Sequence, residues 1–220
     1  MDVAIAGGHG QVALRLARLL SARGDEVRSL IRDPTQAADV EAAGARAVLC
    51  DLEVEEARGI AKHVAGTDAV VFAAGAGPGS GPERKRTVDL GAALKLIGAA
   101  ERTGVRRYVM VSSVGAHDPE GRSEAMRPYL RAKAEADAAL AASGLDYTIV
   151  RPGSLTDDPG TGRVALSTEL GNRGPIPRDD VAAVLAACLD VPETIGLTFE
   201  AFAGEQEVEL AVRALARAAA

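Results

Sequence analysis

The chain has 220 residues, 47% hydrophobic and 25% charged, a balance that suits one globular domain with a sizeable core and excludes disorder as its main state. Its formal charge is −6 and it has three Tyr, three Phe and no Trp, which excludes a general nucleic-acid binder, because that class needs a basic surface and stacking rings. The longest unbroken apolar run, Val181–Leu189, has nine residues against the roughly 20 that a membrane-crossing helix requires, so no membrane span is expected. The N-terminus lacks a basic region followed by a long apolar stretch, and Cys50 and Cys188 have no metal-like spacing. A cytoplasmic, reducing compartment without a bound metal is the expectation.

In chain order, Val3–Ala6 reads as a buried strand that leads into Gly7-Gly8-His9-Gly10-Gln11-Val12-Ala13. Val12, Leu16, Leu19 and Leu20 then fall on one helical face, and Gly24 stands where that helix would stop. Glycine at 7 permits a tight turn, glycine at 10 lets the backbone approach a pyrophosphate, and the small Ala13 lets helix and strand pack closely. The helix N-terminus would present unsatisfied N–H groups to the phosphates, making Gly7, His9, Gly10, Gln11 and Val12 a dinucleotide loop. Glycine-rich turns also serve purely geometric ends, and the position between a strand and a helix is what favours the dinucleotide.

The second strand, Glu26–Ile31, ends in Arg32-Asp33-Pro34. A ribose-reading acid would mark NAD here; Arg32 instead offers forked donors to a 2′-phosphate, which favours NADP, with NAD as the alternative. The competing reading leaves Arg32 solvated and has Asp33 cap the next helix. Strands at Ala47–Cys50 and Ala69–Ala73 follow. Asp51 and Leu52 close the first, where an adenine would lie, although Asp51 could equally cap a helix beginning near Glu53. Ala73, Ala74 and Gly75 close the second and leave room for the cofactor to cross the sheet edge. Gly75 to Pro82 reads as a mobile loop.

The fifth strand, Tyr108–Val111, runs into Ser112-Ser113-Val114-Gly115, and 16 residues beyond Ser113 comes Tyr129-Leu130-Arg131-Ala132-Lys133. Pro128 suits a first helical turn, so Tyr129 and Lys133 lie one turn apart on one face. A tyrosine hydroxyl, with a pKa of roughly 10, is a poor acid until a cation lowers it. Lys133, one of only four lysines, is placed to supply that cation. The plainer alternative is an exposed Tyr stacked on a Lys stem. The sixth strand, Tyr147–Val150, leads to Arg151-Pro152-Gly153. Beyond it come a polar Gly/Pro-rich stretch to Gly162, a strand at Arg163–Ser167, a second Gly/Pro-rich stretch from Gly171 to Pro177, a helix at Arg178–Asp190, a strand at Leu197–Phe202 and a helix from Glu205.

Six strands alternating with helices predict a doubly wound α/β fold: a parallel Rossmann sheet with right-handed crossovers, helices on both faces and a small C-terminal lobe. Residues 1–220 form a single NAD(P)-binding domain in this reading, with 153–220 as its substrate-side rim.

Gly7-x-x-Gly10-x-x-Ala13, Arg32-Asp33-Pro34, Ser112-Ser113-Val114-Gly115, Tyr129-x-x-x-Lys133 and Arg151-Pro152-Gly153 together resemble the short-chain dehydrogenase/reductase superfamily, in its atypical branch of compact NAD(P)-binding proteins. Ala13 stands where that family commonly has a third glycine. The resemblance implies that Ser113 orients a substrate carbonyl and Tyr129 exchanges the proton. Lys133 then lowers the Tyr pKa and holds the nicotinamide ribose, and Pro152-Gly153 passes beside the nicotinamide. The function expected is an NADPH-dependent oxidoreductase that transfers a hydride to a small carbonyl, quinone or flavin-like acceptor. Two alternatives stay open. One is a non-enzymatic NADP(H) sensor working through the Gly75–Pro82 and His117–Arg127 loops. The other is a sugar-nucleotide epimerase or dehydratase, for which the chain ends too soon to carry the larger C-terminal lobe of such relatives.

Overall fold

The computed structural model describes residues 1–77, 79–171 and 174–219, so the loops predicted at Gly75–Pro82 and Gly171–Pro177 are covered apart from Pro78, Asn172 and Arg173. The first half alternates strand and helix: β1 (Asp2–Ala6), α1 (Gln11–Ala22), β2 (Glu26–Ile31), a 3₁₀ turn at Pro34–Gln36, α2 (Ala37–Ala42), β3 (Arg46–Leu49), α3 (Ala57–Val64) and β4 (Ala69–Phe72). A composite helix follows: α4 (Pro82–Arg84), a π-helical segment Lys85–Ala92, then α5 (Ala93–Thr103). The second half comprises β5 (Arg107–Val111), α6 (Arg127–Ala141), β6 (Asp146–Pro152), β7 (Ser154–Thr156), β8 (Arg163–Ser167), β9 (Pro175–Pro177), α7 (Arg178–Asp190), β10 (Leu197–Ala203), β11 (Gln206–Glu207) and α8 (Val208–Ala219).

The main sheet has the order β11-β8-β10-β6-β5-β4-β1-β2-β3. It is parallel from β3 across to β10, while β8 runs antiparallel to both β10 and β11. The strands at its centre are those with unbroken apolar runs: Val3, Ala4, Ile5 and Ala6 of β1 and Ala69, Val70, Val71 and Phe72 of β4 are all buried. A strand covered on both faces tolerates no alternation of polar residues. β3 carries an exposed Arg46 and Leu49 and accordingly lies at an edge. One face of the sheet packs against α1, α2, α7 and α8 through residues such as Leu16, Val40, Leu185 and Val212; the other packs against α3, α5 and α6 through Ile60, Leu96 and Leu140. The doubly wound sheet with helices on both faces is therefore present.

The chain leaves β1 toward β2 and β3 on one side, then crosses back to β4 on the other. This reversal opens a crevice at the carboxyl ends of β1 and β4, where ligands of open α/β sheets bind. Three local expectations need correction. The helix expected near Glu53 starts at Ala57, because Asp51 first forms a turn. The expected helix from Glu205 starts at Val208, after β11 has paired with β8. The two Gly/Pro-rich stretches contain β7 and β9, which form a small parallel sheet of their own.

Candidate functional site

The loop after β1 is tied tightly into the crevice. Gly7 has a φ of +78°, and a Cβ there would lie 2.6 Å from the Ala74 Cα, so the turn requires glycine on both counts. The Gly8 N–H donates to the Leu30 carbonyl at 2.9 Å and the Gly10 N–H to the Gly7 carbonyl at 2.8 Å. Gly10 is the N-cap of α1, and no side chain caps that terminus. The first-turn amides of this 12-residue helix are thus left for a ligand rather than for the protein itself.

Two clefts meet here, sharing Ala73, Ala74 and Gly75 as a common wall. The first, of about 260 Å³, is lined by Gly7, His9, Gly10, Arg32, Asp51 and Leu52 among others, bringing together the residues expected around an adenosine. Arg32 Nη1 lies 3.5 Å from Glu53 Oε2, and Arg84 Nη2 lies 3.1 Å from the same oxygen. Thr87 Oγ1 donates to the other Glu53 oxygen at 2.8 Å. Two guanidinium groups thus share one carboxylate oxygen at this rim. Asp33 serves as a cap, accepting from the Thr35 N–H at 2.9 Å and from its hydroxyl at 2.7 Å, which holds its carboxyl below the usual range. Asp51 accepts from the Glu53 N–H at 2.9 Å while also lining the cleft. His9 lies 2.8 Å from Asp39 at the α2 side.

Cys50, on the same wall, is buried, and its sulfur, Glu55 and His63 form a group whose potential ligand atoms lie within 4.8 Å of one another. Burial and then the neighbouring Glu55 push the Cys50 thiol up to about 12, so it is protonated near neutral pH.

The second cleft, of about 560 Å³, gathers Gln11, Val12, Ser113, Tyr129, Lys133, Pro152 and Gly153. Every residue expected at the reacting end therefore lies on one cavity. Gly153 owes its place to close packing: a Cβ there would lie 2.1 Å from the Gly174 carbonyl oxygen. Tyr129 and Lys133 project from the first two turns of α6, and Lys133 Nζ lies 5.9 Å from the Tyr129 ring centroid. That ammonium is buried, donates to the Val111 carbonyl at 3.1 Å and lies 3.4 Å from Asp89 Oδ1. An ammonium has three donors, and the Val111 carbonyl takes one of them, Asp89 being an ion-pair partner without a hydrogen bond on that oxygen. Ser113 donates to the Val114 carbonyl at 3.2 Å.

Sequence reasoning overlooked several participants. Asp89, fully buried, faces Lys133 from the π-helical segment, and its Oδ2 accepts from the Ala76 N–H at 3.2 Å. A lone acid within the apolar run Val88-Asp89-Leu90 was the available signal. Lys85, on that same segment, places its Nζ 5.2 Å from the Tyr129 ring centroid. Beneath the site, Asp137 accepts from Ser112 Oγ at 2.8 Å and from Arg151 at 2.9 Å. Burial pushes the Asp137 carboxyl up, against the opposing pull of Arg151 and Ser112.

A nicotinamide dinucleotide fits this arrangement: an uncapped helix terminus lies at the junction of two clefts, small residues form the shared wall, and cationic groups stand at both ends. The class defined by fold and site is that of the atypical short-chain dehydrogenase/reductase proteins with a Rossmann sheet. The model of the NAD(P)H-binding family matches residues 7–192, and the chain belongs to that family. It is 43% identical over 216 residues to a Bacillus subtilis (strain 168) protein named uncharacterized sugar epimerase YhfK, covering 98% of this chain and 100% of that one. A solved Bacillus halodurans structure, provisionally named an NAD-dependent epimerase/dehydratase, superposes with a TM-score of 0.93 at 40% identity, covering 98% of this chain and 100% of that one. The oxidoreductase ylbE of Lactococcus lactis superposes with a TM-score of 0.85 at 27% identity, covering 99% and 97% of the two chains. Among the described residues no helix is long and apolar enough to cross a membrane.

Proposed function

We propose that the protein is an NADPH-dependent oxidoreductase that reduces a small carbonyl, quinone or flavin-like acceptor. The observation that carries this reading is the convergence of Ser113, Tyr129 and Lys133 on the cleft that opens from the uncapped end of α1. The relative named an oxidoreductase supports it. Bound NADPH would supply a hydride to the acceptor carbon. The chain's own residues then have separate tasks. The α1 terminus and Gly10 hold the pyrophosphate, while Arg32 and Arg84 receive the 2′-phosphate. Ser113 Oγ turns from the Val114 carbonyl to donate to the acceptor oxygen. Tyr129 is placed to give its hydroxyl proton to that oxygen, the proton a reduced carbonyl needs to become an alcohol. Lys133, held by Val111 and Asp89, would hold the nicotinamide ribose and stabilise the charge left on the Tyr129 oxygen.

The test is NADPH oxidation against a panel of ketones, quinones and flavins with wild type, Tyr129→Phe and Lys133→Ala. Tyr129→Phe should retain cofactor affinity and lose carbonyl turnover by about 10²–10⁴-fold, the usual scale for a lost general acid. Lys133→Ala should lower both affinity and turnover. Activity on quinones alone, unchanged in Tyr129→Phe, would remove the catalytic tyrosine while leaving the reductase. Tight NADPH binding with no oxidation by any acceptor would favour a sensor, and conversion of a nucleotide sugar without net cofactor consumption would favour an epimerase.

A further inference from the structure

The charged side chains lining the larger cleft, among the described residues, are Lys85, Asp89, Lys133 and Arg178. Their charges do not cancel. Asp89 is fully buried and committed to Lys133 at 3.4 Å. Arg178 is paired with Asp157 at 2.9 Å, on the outer rim. Lys85 has no carboxylate within 4.0 Å among the described residues; its Nζ donates to the Gly77 carbonyl at 2.8 Å and stands over the Tyr129 ring. In a chain of net charge −6 with only four lysines, two of the four converge on one tyrosine. A positive potential at the mouth of a cleft in an acidic protein selects what enters.

The backbone explains how Lys85 comes to be there. Lys85 and Asp89 lie four residues apart on the π-helical segment Lys85–Ala92, which brings them to the same side, and both line the cleft. Beside the polar Gln11, Ser80, Ser113 and Tyr129, the lining includes large apolar side chains: Met126 at 44% exposure and Leu155 at 37%, with the buried Val12 and Pro152. Large apolar side chains left in the open beside a cation suit a ligand that is itself half apolar and half anionic.

We propose that the acceptor is an organic anion, with an apolar body lying between Met126 and Leu155 and a carboxylate paired with Lys85. This rests on the reductase reading for the chemistry but not for the binding. The Arg32–Arg84 rim proposed to receive the 2′-phosphate lies in the other cleft, and the α1 terminus proposed for the pyrophosphate lies where the two clefts meet; neither reading of the cofactor uses Lys85.

The experiment measures binding and turnover separately. Calorimetry on the NADP⁺-saturated protein compares naphthalene-2-carboxylate with naphthalene-2-carboxamide, using wild type, Lys85→Gln and Lys85→Arg. In parallel, NADPH oxidation is followed with anthraquinone-2-carboxylate and its methyl ester. The wild type should prefer the carboxylate of each pair by about tenfold, as one charge-assisted contact provides, with the preference shrinking as salt rises. Lys85→Gln should bring the ratio close to one, and Lys85→Arg should restore it. Equal binding of the two naphthalene probes by wild type would overturn the proposal, as would a preference that survives in Lys85→Gln. A loss of NADPH affinity in Lys85→Gln as large as the loss of carboxylate binding would reassign Lys85 to the cofactor and overturn it too. A carboxylate preference in binding with no NADPH oxidation would support the anion site and count against the reductase reading alone.

Discussion

Replacing Arg32 with Ala tests whether the adenosine-side rim reads a 2′-phosphate. A hydrogen bond to a charged group contributes about 1.5–3 kcal/mol when shielded from water. The Arg32 side chain is 52% exposed and its nearest acid, Glu53, is 28% exposed, so solvent screening places the loss toward the lower end. About 1–2 kcal/mol is expected, a weakening of NADPH binding by roughly 5- to 30-fold. Arg84 stays in place on the same Glu53 oxygen at 3.1 Å, so the single variant should keep part of its preference and the Arg32→Ala/Arg84→Ala double variant should lose it. NADH lacks the 2′-phosphate and should be nearly unaffected by either change. Glu53→Gln makes the converse prediction. It releases both guanidinium groups from a competing carboxylate, and NADPH should bind up to about fivefold more tightly, the scale of an exposed ion pair. Dissociation constants from fluorescence titration of both cofactors check all three variants. Equal losses of NADPH and NADH in Arg32→Ala would refute the reasoning, because the residue would then support the loop rather than the phosphate.

Gly10→Ala places a Cβ 3.0 Å from the Gly7 carbonyl oxygen and over the end of α1; the backbone there, at φ −64° and ψ 149°, accepts any residue, so the fold should persist while NADPH binding falls more than about tenfold. Wild-type affinity in titration, with an unchanged melting curve, would remove the phosphate loop from the site. The thiols of Cys50 and Cys188 are both pushed up to about 12, chiefly by burial, from 9.0. Folding therefore favours their protonated forms, a stabilisation present in full below pH 9.0 and lost as pH rises toward about 12. Denaturant midpoints should decline across that window, less steeply in a Cys50→Ala/Cys188→Ala variant. At pH 8 iodoacetamide should modify the folded protein far more slowly than the unfolded chain; equal rates would contradict the burial.

Where an arrangement depends on neighbours in sequence, it was legible in the chain. The strand–glycine–helix passage from Val3 to Ala13, and the spacing of Tyr129 and Lys133 on one helix, are set by local geometry, and the structure places those residues on adjoining clefts. Where it depends on distant segments, local pattern was silent. Asp89 meets Lys133 only because the crossover helix after β4 lies beside α6, and nothing within Val88-Asp89-Leu90 points to a lysine 44 residues on. Glu53, Arg84 and Arg32 are likewise assembled by the sheet and not by spacing. Asp33 and Asp51 illustrate the reverse case: each commits one carboxylate oxygen, Oδ1, to a turn of its own chain. β7 and β9 stayed hidden because three-residue strands among Gly and Pro carry no periodicity and are defined by their pairing with each other.

Two successive turns of α6 grip two successive residues at the end of β5: Lys133 holds the Val111 carbonyl, and Asp137, four residues on, holds the Ser112 hydroxyl while Arg151 of β6 clamps it from the other side. A helix pinned at two levels can neither slide along its axis nor roll without breaking a buried ionic contact. Tyr129 therefore rides on a fixed jaw, registered to the strand edge. The π-wound segment is tied to the same helix through the buried Asp89–Lys133 pair, so any breathing of the cleft to admit or release an acceptor falls to the rim formed by β7 and β9. Substitutions there should alter how fast ligands come and go, whereas substitutions at Ser112, Asp137 or Arg151 should alter where the tyrosine stands.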